Sequence, residues 1–206
     1  MKRNIVFDID GTIARAETFL SEELIEEIKA KYGADYYERH SVVAYNYPHL
    51  IRPGFYALFK WLHQNGAKLF FFSTGIEERN VELIDKLMKI AFPENYKNVD
   101  YEVFSRQHCV DTNIGAQHAT EHELQGLFFG NLKKKLAGHI VPENELANTL
   151  LIDDDRSYLA KGEEKNLVYV KDRMHKICNE HNNPYIYFLT AYYLAGLLSE
   201  IFKLQK

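Results

Sequence analysis

The sequence IVFDIDGT at residues 5–12 decides the fold, because an unbroken apolar run leads directly into two carboxylates and a glycine. A short continuous apolar run is typical of a strand that is buried on both faces of a parallel sheet. The apolar residues 150–152 are followed in the same way by an acidic cluster at residues 153–155. Carboxylates that lie close together raise one another's pKa or require a cation. These two clusters suggest a divalent metal ion and chemistry on an anion.

Strands and helices are predicted to alternate along most of the chain. Apolar runs predict five strands, over Asn4–Ile9, Lys68–Ser73, Val99–Phe104, Thr149–Ile152 and Leu167–Val170. Apolar residues at helical spacing predict three helices, over Ser21–Tyr32, from Pro53-Gly54 to Asn65-Gly66, and over Glu77–Ala91. The buried stripe of the third helix is predicted to be Val81, Ile84, Leu87, Met88 and Ala91. This alternation predicts an α/β fold in which a parallel, Rossmann-like sheet forms the middle of three layers. Ligands of such sheets bind beyond the carboxyl ends of the strands, where both acidic clusters fall.

Three segments are predicted to elaborate a single domain of 206 residues. Residues 33–50 are rich in Tyr and His and would overhang the site as a small cap, while the polar residues 111–130 could form a side lobe. Residues 182–206 are expected to form a buried C-terminal helix, because their apolar part only reaches the lower length limit of a membrane span. No membrane partner is expected, although this apolar segment leaves membrane contact open.

Composition excludes some classes of protein. The net charge of −4, from 25 basic and 29 acidic residues, does not favour a nucleic-acid partner. The two cysteines, Cys109 and Cys178, argue against a disulfide scaffold and fit a reducing compartment. Asp8 falls where a secretory signal would need its apolar core, so a cytoplasmic location is predicted.

Asp8 and Asp10 are predicted to be a catalytic pair. A carboxylate that attacks a phosphoryl group forms an aspartyl-phosphate and so divides one slow displacement into two faster ones. Asp8, the first residue after the strand, is the predicted nucleophile. Asp10 would protonate the leaving oxygen and then activate water, which contributes on the order of 10²–10⁴-fold. Mg²⁺ prefers oxygen ligands, and Asp8, the Asp10 carbonyl and a carboxylate from Asp153 and Asp154 would provide them.

With these residues, the sequence resembles the haloacid dehalogenase-like phosphatase superfamily, whose four motifs it matches in order. The first motif is DIDGT at residues 8–12 and the fourth is Ile152-Asp153-Asp154. The second is the hydroxyl that ends the strand at Phe72, assigned to Thr74 before Gly75, with Ser73 as the alternative. The resemblance implies that this hydroxyl binds the transferred phosphoryl group. The third motif is a lysine, for which there are three competitors, Lys133, Lys134 and Lys135. This run is interpreted as mostly a solvated helix face, to which at least two of the three lysines should belong.

A narrower resemblance is to the phosphatases that act on the C-terminal domain of RNA polymerase II, the NLI-interacting-factor-like family. Three segments carry it: Arg52-Pro53-Gly54, FSRQHC at residues 104–109, and Lys134-Lys135-Leu136, which favours Lys134 as the third motif. The chain departs from that family at Gly11, where Glu is usual, and at Asp154, where Asn is common. The resemblance implies a phosphoprotein substrate, bound by Thr74, Gly75, Arg52 and Lys134. Arg52 could instead be a structural anchor.

The leading hypothesis is therefore a Mg²⁺-dependent phosphomonoester hydrolase that acts on a phosphorylated protein or peptide, at Ser/Thr or at Tyr. One alternative is a phosphatase of small metabolites, such as sugar phosphates or nucleotides, selected by residues 33–50. Another is a non-catalytic protein-binding module, against which the intact acidic residues argue. A zinc site at Cys109, His118 and His122 is disfavoured, because no matching ligand pair exists elsewhere. The aromatic residues from the end of the first predicted helix to the start of the second are either cap core or, if exposed at the mouth, a stacking surface for the substrate: Tyr32, Tyr36, Tyr37, Tyr45, Tyr47 and His49.

Overall fold

The computed structural model describes residues 3–17, 22–52, 54–111 and 132–170, together with Gly196 and Leu198. Its strands are β1 (Arg3–Phe7), β2 (Ala14–Ala16), β3 (Ser41–Ala44), β4 (Tyr47–Ile51), β5 (Ala67–Phe72), β6 (Tyr101–Phe104), β7 (Val110–Asp111), β8 (Leu132–Lys133), β9 (Thr149–Asp153) and β10 (Leu167–Tyr169). Its α-helices are α1 (Glu22–Tyr32), α2 (Ala34–His40), α3 (Phe55–Gln64) and α4 (Glu77–Ala91).

The predicted α/β fold is confirmed. Five strands form one sheet in the order β10-β9-β1-β5-β6, and every neighbouring pair in it is parallel. Each of the five strands expected from an apolar run is present, with ends that differ by one or two residues. All five residues of β1 are buried, as a central strand covered on both faces requires.

The two faces of the sheet are covered differently. On one face, Ile5 and Phe7 of β1 belong to a core cluster with residues of α3 and α4. Phe7 makes edge contacts there with Phe55 and Phe59, whose ring centroids lie 5.8 and 5.5 Å away. On the other face, Val6 packs in a second cluster with three residues of an irregular segment, Leu136, Ile140 and Val141. The third layer of the described structure is therefore formed by residues 136–148, which comprise a turn and a 3-10 helix (Glu143–Asn148) in place of an α-helix.

Residues 33–50 form local structure that their sequence pattern did not predict. They contain α2 and a hairpin of β3 and β4, and β2 adds to β4 to make a three-stranded antiparallel sheet. Tyr45 and Asn46 form the two-residue turn, both with positive φ, at 49° and 68°. The backbone N–H of Tyr45 donates to Glu82 of α4 at 2.9 Å, which ties the hairpin to the main domain. Whether this segment acts as a cap stays a prediction.

Two local expectations were wrong. Val81 was placed on the buried stripe of α4, but it is 45% exposed, and the helix buries Arg79 and Asn80 instead. Lys133 to Lys135 were interpreted as a solvated helix face, but Lys133 ends β8 and Lys134 forms an isolated bridge with Leu159.

Several predictions fall largely on residues that the structure does not describe. These are the side lobe after Asp111, the histidines His118 and His122, and the helix at residues 182–206 apart from Gly196 and Leu198. Both of those residues are helical, and Leu198 is fully buried in the first core cluster. Within the described ranges, none of the helices combines the length and the apolar character that a membrane crossing requires.

Candidate active site

Asp8 and Asp153 lie side by side at the carboxyl ends of two adjacent strands, β1 and β9. The register pairs Phe7 with Ile152, and the Asp8 N–H donates to the Ile152 carbonyl at 2.8 Å, so the two carboxylates come to one level. Lys134 lies between them. Its Nζ donates to Asp8 Oδ1 at 2.5 Å and to Asp153 Oδ2 at 2.7 Å. All three residues are at least 95% buried, so their charges compensate one another largely without water.

For both Asp8 and Lys134, burial and the neighbouring opposite charges shift the pKa in opposite directions. Burial raises the pKa of Asp8 well above its usual range, the lysine charge opposes that rise, and the nearby Asp153 and Asp154 add to it. Burial would lower the pKa of Lys134, but the charges of Asp8 and Asp153 outweigh it and raise that pKa above its ordinary value. Lys134 is therefore a fixed cation, and the carboxylates around it still carry an excess of negative charge.

Three carboxylates at this edge are able to hold a metal ion. Asp8, Asp153 and Asp154 each offer one oxygen, and these oxygens all lie within 4.8 Å of one another. Asp8 Oδ2 is buried and accepts no hydrogen bond from the part of the chain that the structure describes. Thr12 Oγ1 donates to Asp154 Oδ1 at 3.2 Å and so orients the third carboxylate. An unsatisfied carboxylate oxygen among other oxygen donors fits a hard divalent cation.

Gly11 permits the loop between β1 and β2 to approach Asp154 closely. Its φ is +87°, and a Cβ at this position would lie 2.4 Å from Asp154 Oδ2. The buried guanidinium of Arg52 donates to the Gly11 carbonyl. The described contact of Arg52 is thus with the backbone of the first motif, as the anchor interpretation expects, and its proposed role in substrate binding stays a prediction.

Asp10 faces a different set of partners, which the sequence did not reveal. Arg79, in the first turn of α4, donates to both oxygens of Asp10 at 2.6 Å, and Ser73 Oγ donates to Oδ2 at 2.8 Å. Burial tends to raise the pKa of Asp10, but these bonds and the Arg79 charge outweigh it and hold the pKa below its ordinary value. In a sequence, an Arg in the first turn of a helix looks like any surface cation. Only the tertiary structure, in which α4 approaches the loop after β1, shows that Arg79 binds Asp10.

The structure also distinguishes the two competing hydroxyls. Ser73 is 1% exposed and contacts Asp10, and its Oγ accepts from the Gly75 N–H at 2.9 Å. Thr74 is half-buried, and its carbonyl accepts from Arg106 Nε at 2.9 Å. Ser73, the alternative to Thr74, is thus the hydroxyl that contacts Asp10.

Of the three competing lysines, Lys134 alone is placed at Asp8 among the contacts described. Lys133 donates instead to the Ser157 carbonyl, at an exposed position. Lys135 is half-buried. The choice of Lys134 by resemblance therefore agrees with its position.

His49 lies beside the acidic pair and was not assigned a role there. It is 1% exposed, its Nδ1 lies 3.0 Å from the Tyr47 carbonyl, and its Nε2 is buried with no hydrogen-bond partner among the described residues. Burial first, and then the charge of Arg79, lower its pKa. A neutral imidazole at this position adds no positive charge to the mouth of the site.

Together, the five-stranded parallel sheet and the carboxylates at the ends of β1 and β9 define a haloacid dehalogenase-like fold with a site for phosphoryl chemistry. Residues 3–190 match the family model of the NLI interacting factor-like phosphatases. The chain belongs to this family, and it is a phosphatase. The resemblance drawn from its motifs is confirmed. A search of the curated proteins found no match.

Proposed function

We propose that the chain is a Mg²⁺-dependent phosphomonoester hydrolase that works through an aspartyl-phosphate on Asp8. One observation carries this proposal: Lys134 holds Asp8 Oδ1 while Oδ2 is left without a hydrogen-bond donor among the described residues. A carboxylate held by one oxygen is oriented, and its other oxygen is available for bonding. Mg²⁺ held by Asp8, Asp153, Asp154 and the Asp10 carbonyl would supply positive charge against the transferred phosphoryl group.

Two displacements complete the reaction. In the first, a carboxylate oxygen of Asp8 bonds to phosphorus, the bond from phosphorus to the leaving oxygen breaks, and Asp10 gives that oxygen a proton. In the second, Asp10 takes a proton from water, the water oxygen bonds to phosphorus, and the bond to Asp8 breaks to release phosphate. Lys134 would stabilise the negative charge of the Asp8 carboxylate before the first displacement and again when the second displacement releases it. In this proposal Ser73, whose Oγ contacts Asp10, would orient the phosphoryl group in place of Thr74.

A phosphorylated protein or peptide is the substrate that the surroundings of the site favour. The Asp10 side chain is 45% exposed, so the mouth is open to solvent in the described part of the chain. Tyr45 and Tyr47 are 41% and 36% exposed, and their rings lie 6.0 Å apart in an edge contact. The Tyr47 ring continues toward His49 at 5.6 Å. Exposed tyrosines beside an open mouth suit stacking against a peptide, whereas Tyr37 is buried and belongs to the core of this segment.

Hydrolysis of p-nitrophenyl phosphate, with and without Mg²⁺, tests the chemistry. Wild type should turn over only with metal, and Asp8→Asn should abolish turnover. Asp35→Asn, at an exposed position of α2, is the matched control and should keep wild-type activity. Turnover that survives in Asp8→Asn would contradict the aspartyl-phosphate, and no turnover by wild type with any metal or pH would support the binding-module alternative.

Comparison of substrates tests the second part of the proposal. Phosphoserine, phosphothreonine and phosphotyrosine peptides should be hydrolysed with higher kcat/KM than a panel of sugar phosphates and nucleotides. Tyr47→Ala should raise KM for the peptides and leave KM for p-nitrophenyl phosphate nearly unchanged. A metabolite that exceeds every peptide in kcat/KM would support the small-molecule alternative.

A further inference from the structure

The acid–base carboxylate Asp10 is held in place from a separate element of the fold. Arg79 Nη1 and Nη2 donate to Asp10 Oδ1 and Oδ2 at 2.6 Å each, which is a bidentate pairing. Ser73 Oγ adds a third bond. A guanidinium that binds both oxygens fixes the plane of a carboxylate, whereas a single bond leaves it free to rotate.

Space for this guanidinium is provided by Gly75. A Cβ at Gly75 would lie 2.1 Å from Arg79 Nη2 and 3.1 Å from Ser73 Oγ. Gly75 does not have a positive φ, so the obstacle to alanine is not its backbone conformation but the side chains that a Cβ would meet, above all the Arg79 guanidinium. The Arg79 side chain is 9% exposed although its partner Asp10 is 45% exposed. The absence of a side chain at Gly75 thus leaves space in the loop after β5 for the Arg79 guanidinium.

The bonding pattern indicates the step in which this arrangement acts. The two side chains that hydrogen-bond to the Asp10 carboxylate within the described ranges, Arg79 and Ser73, both donate to it, so the carboxylate they hold is a proton acceptor. A proton acceptor at the site is what the second displacement uses, when water is activated to attack the aspartyl-phosphate. Orientation of such a base is a large part of its effect.

We propose that Arg79 is a positioning residue that holds Asp10 as the oriented base for hydrolysis of the phosphoenzyme, and that Gly75 gives Arg79 the room to do so. This inference rests on the proposed function, because it assigns a step within that reaction. Arg79 acts through Asp10. Its loss should slow the second displacement selectively.

Rapid-quench kinetics with p-nitrophenyl phosphate and Mg²⁺ separate the two displacements. p-Nitrophenolate needs little protonation to leave, so the burst of p-nitrophenol reports the first displacement and the steady state reports the second. In Arg79→Ala the steady-state rate should fall by about 10–100-fold, within the range of a general base, while the burst rate changes by less than about threefold. Acid-quenched Arg79→Ala should contain more phosphoenzyme than wild type. Lys89→Ala, at an exposed ion pair on the same helix, is the control and should match wild type.

Three further variants test the mechanism. Arg79→Lys, whose ammonium cannot bind both oxygens, should lie between wild type and Arg79→Ala, and it replaces Arg79→Ala if that variant does not fold. Gly75→Ala should show the same selective loss, but no further loss when it is combined with Arg79→Ala. Millimolar guanidinium should restore part of the steady-state rate of Arg79→Ala and should not affect Asp10→Asn.

The outcomes distinguish this inference from the proposed function. If wild type gives an Asp8-dependent burst but the Arg79 variants lose both phases equally, or lose neither, the positioning role is wrong and the proposed function stands. If wild type gives no p-nitrophenol at all, the proposed function fails and this inference fails with it. A selective loss with guanidinium rescue supports both.

Discussion

Lys134 Nζ lies 2.5 Å from Asp8 Oδ1, although 126 positions separate the two residues in the chain. The same Nζ reaches Asp153 at 2.7 Å, so a single cation connects the carboxyl ends of β1 and β9. This cation offsets the repulsion between the two buried carboxylates of Asp8 and Asp153. Lys134 is thus required both by the fold and by the chemistry proposed for the site.

Replacement of this lysine should destabilise the protein strongly. Lys134→Met removes the partner of two buried carboxylates, a change that costs about 3–5 kcal/mol. For a chain of this size the melting temperature should fall by roughly 6–20 °C. Lys135→Met, at the half-buried neighbouring position, is the control in thermal unfolding and should change little. Equal melting temperatures for the two variants would show that the buried carboxylates of Asp8 and Asp153 do not need Lys134 for stability.

Magnesium should stabilise the folded protein through Asp154. Saturation at about 100 times Kd contributes about 2.7 kcal/mol, which corresponds to a rise in melting temperature of roughly 5–10 °C. Asp154→Asn should remove most of this shift. Asp155→Asn should retain it, because the Asp155 carboxylate accepts from the Ser157 N–H and an asparagine can replace it in that cap. A full Mg²⁺ shift in Asp154→Asn would exclude this carboxylate from the metal site.

Gly11→Ala should weaken metal binding as well as stability. The positive φ costs alanine about 1–2 kcal/mol, and the new methyl group would displace the Asp154 carboxylate. Gly66→Ala is the matched control, since Gly66 also has a positive φ, of 77°, but its Cβ would meet nothing within 4 Å. Both variants should melt at lower temperature, and Gly11→Ala alone should need more Mg²⁺ for half-maximal stabilisation. The same Mg²⁺ midpoint in both would mean that the Asp154 contact is irrelevant to metal binding.

Ser73 and Thr74 can be separated by kinetics. Ser73→Ala removes a hydrogen bond to a charged group, worth about 1.5–3 kcal/mol, so kcat/KM should fall by roughly 10–150-fold. Thr74→Val should lower it by less than about threefold. The reverse order would restore Thr74 as the second motif.

Cys109 should be unreactive at neutral pH. Burial raises the pKa of its thiol to about 11, against weaker opposing charges of Lys134 and Arg106. At pH 8 its alkylation by iodoacetamide, followed by peptide mass mapping, should be about 100-fold slower than that of a cysteine with an unperturbed pKa near 8.5. Because the folded pKa exceeds the unfolded one, the contribution of this thiol to stability should decline as the pH rises from about 8.5 to about 11. Rapid alkylation at pH 8 in the folded protein would contradict the shift.

Much of the fold was predictable because its signals are local. The central strands β1, β5 and β9 each contain an unbroken run of three or four apolar residues, as burial on both faces requires whatever the neighbouring strands are. The sheet of β2, β3 and β4 was missed because its partly exposed strands mix apolar with polar residues and contain no such dominant run. Val81 was assigned to the core because helical spacing fixes a stripe but not its rotation toward Arg79 and Asn80.

By itself, the sequence determined the α/β fold, the acidic residues at two strand ends and, through its motifs, the phosphatase family. These follow from short-range order along the chain. Only the tertiary structure decided that Lys134 reaches Asp8, that Ser73 rather than Thr74 meets Asp10, and that Arg79 holds Asp10 from α4. Such contacts depend on how separate elements pack against each other. Small differences in packing change the distance between two side chains by several ångströms, and the local sequence pattern does not specify them.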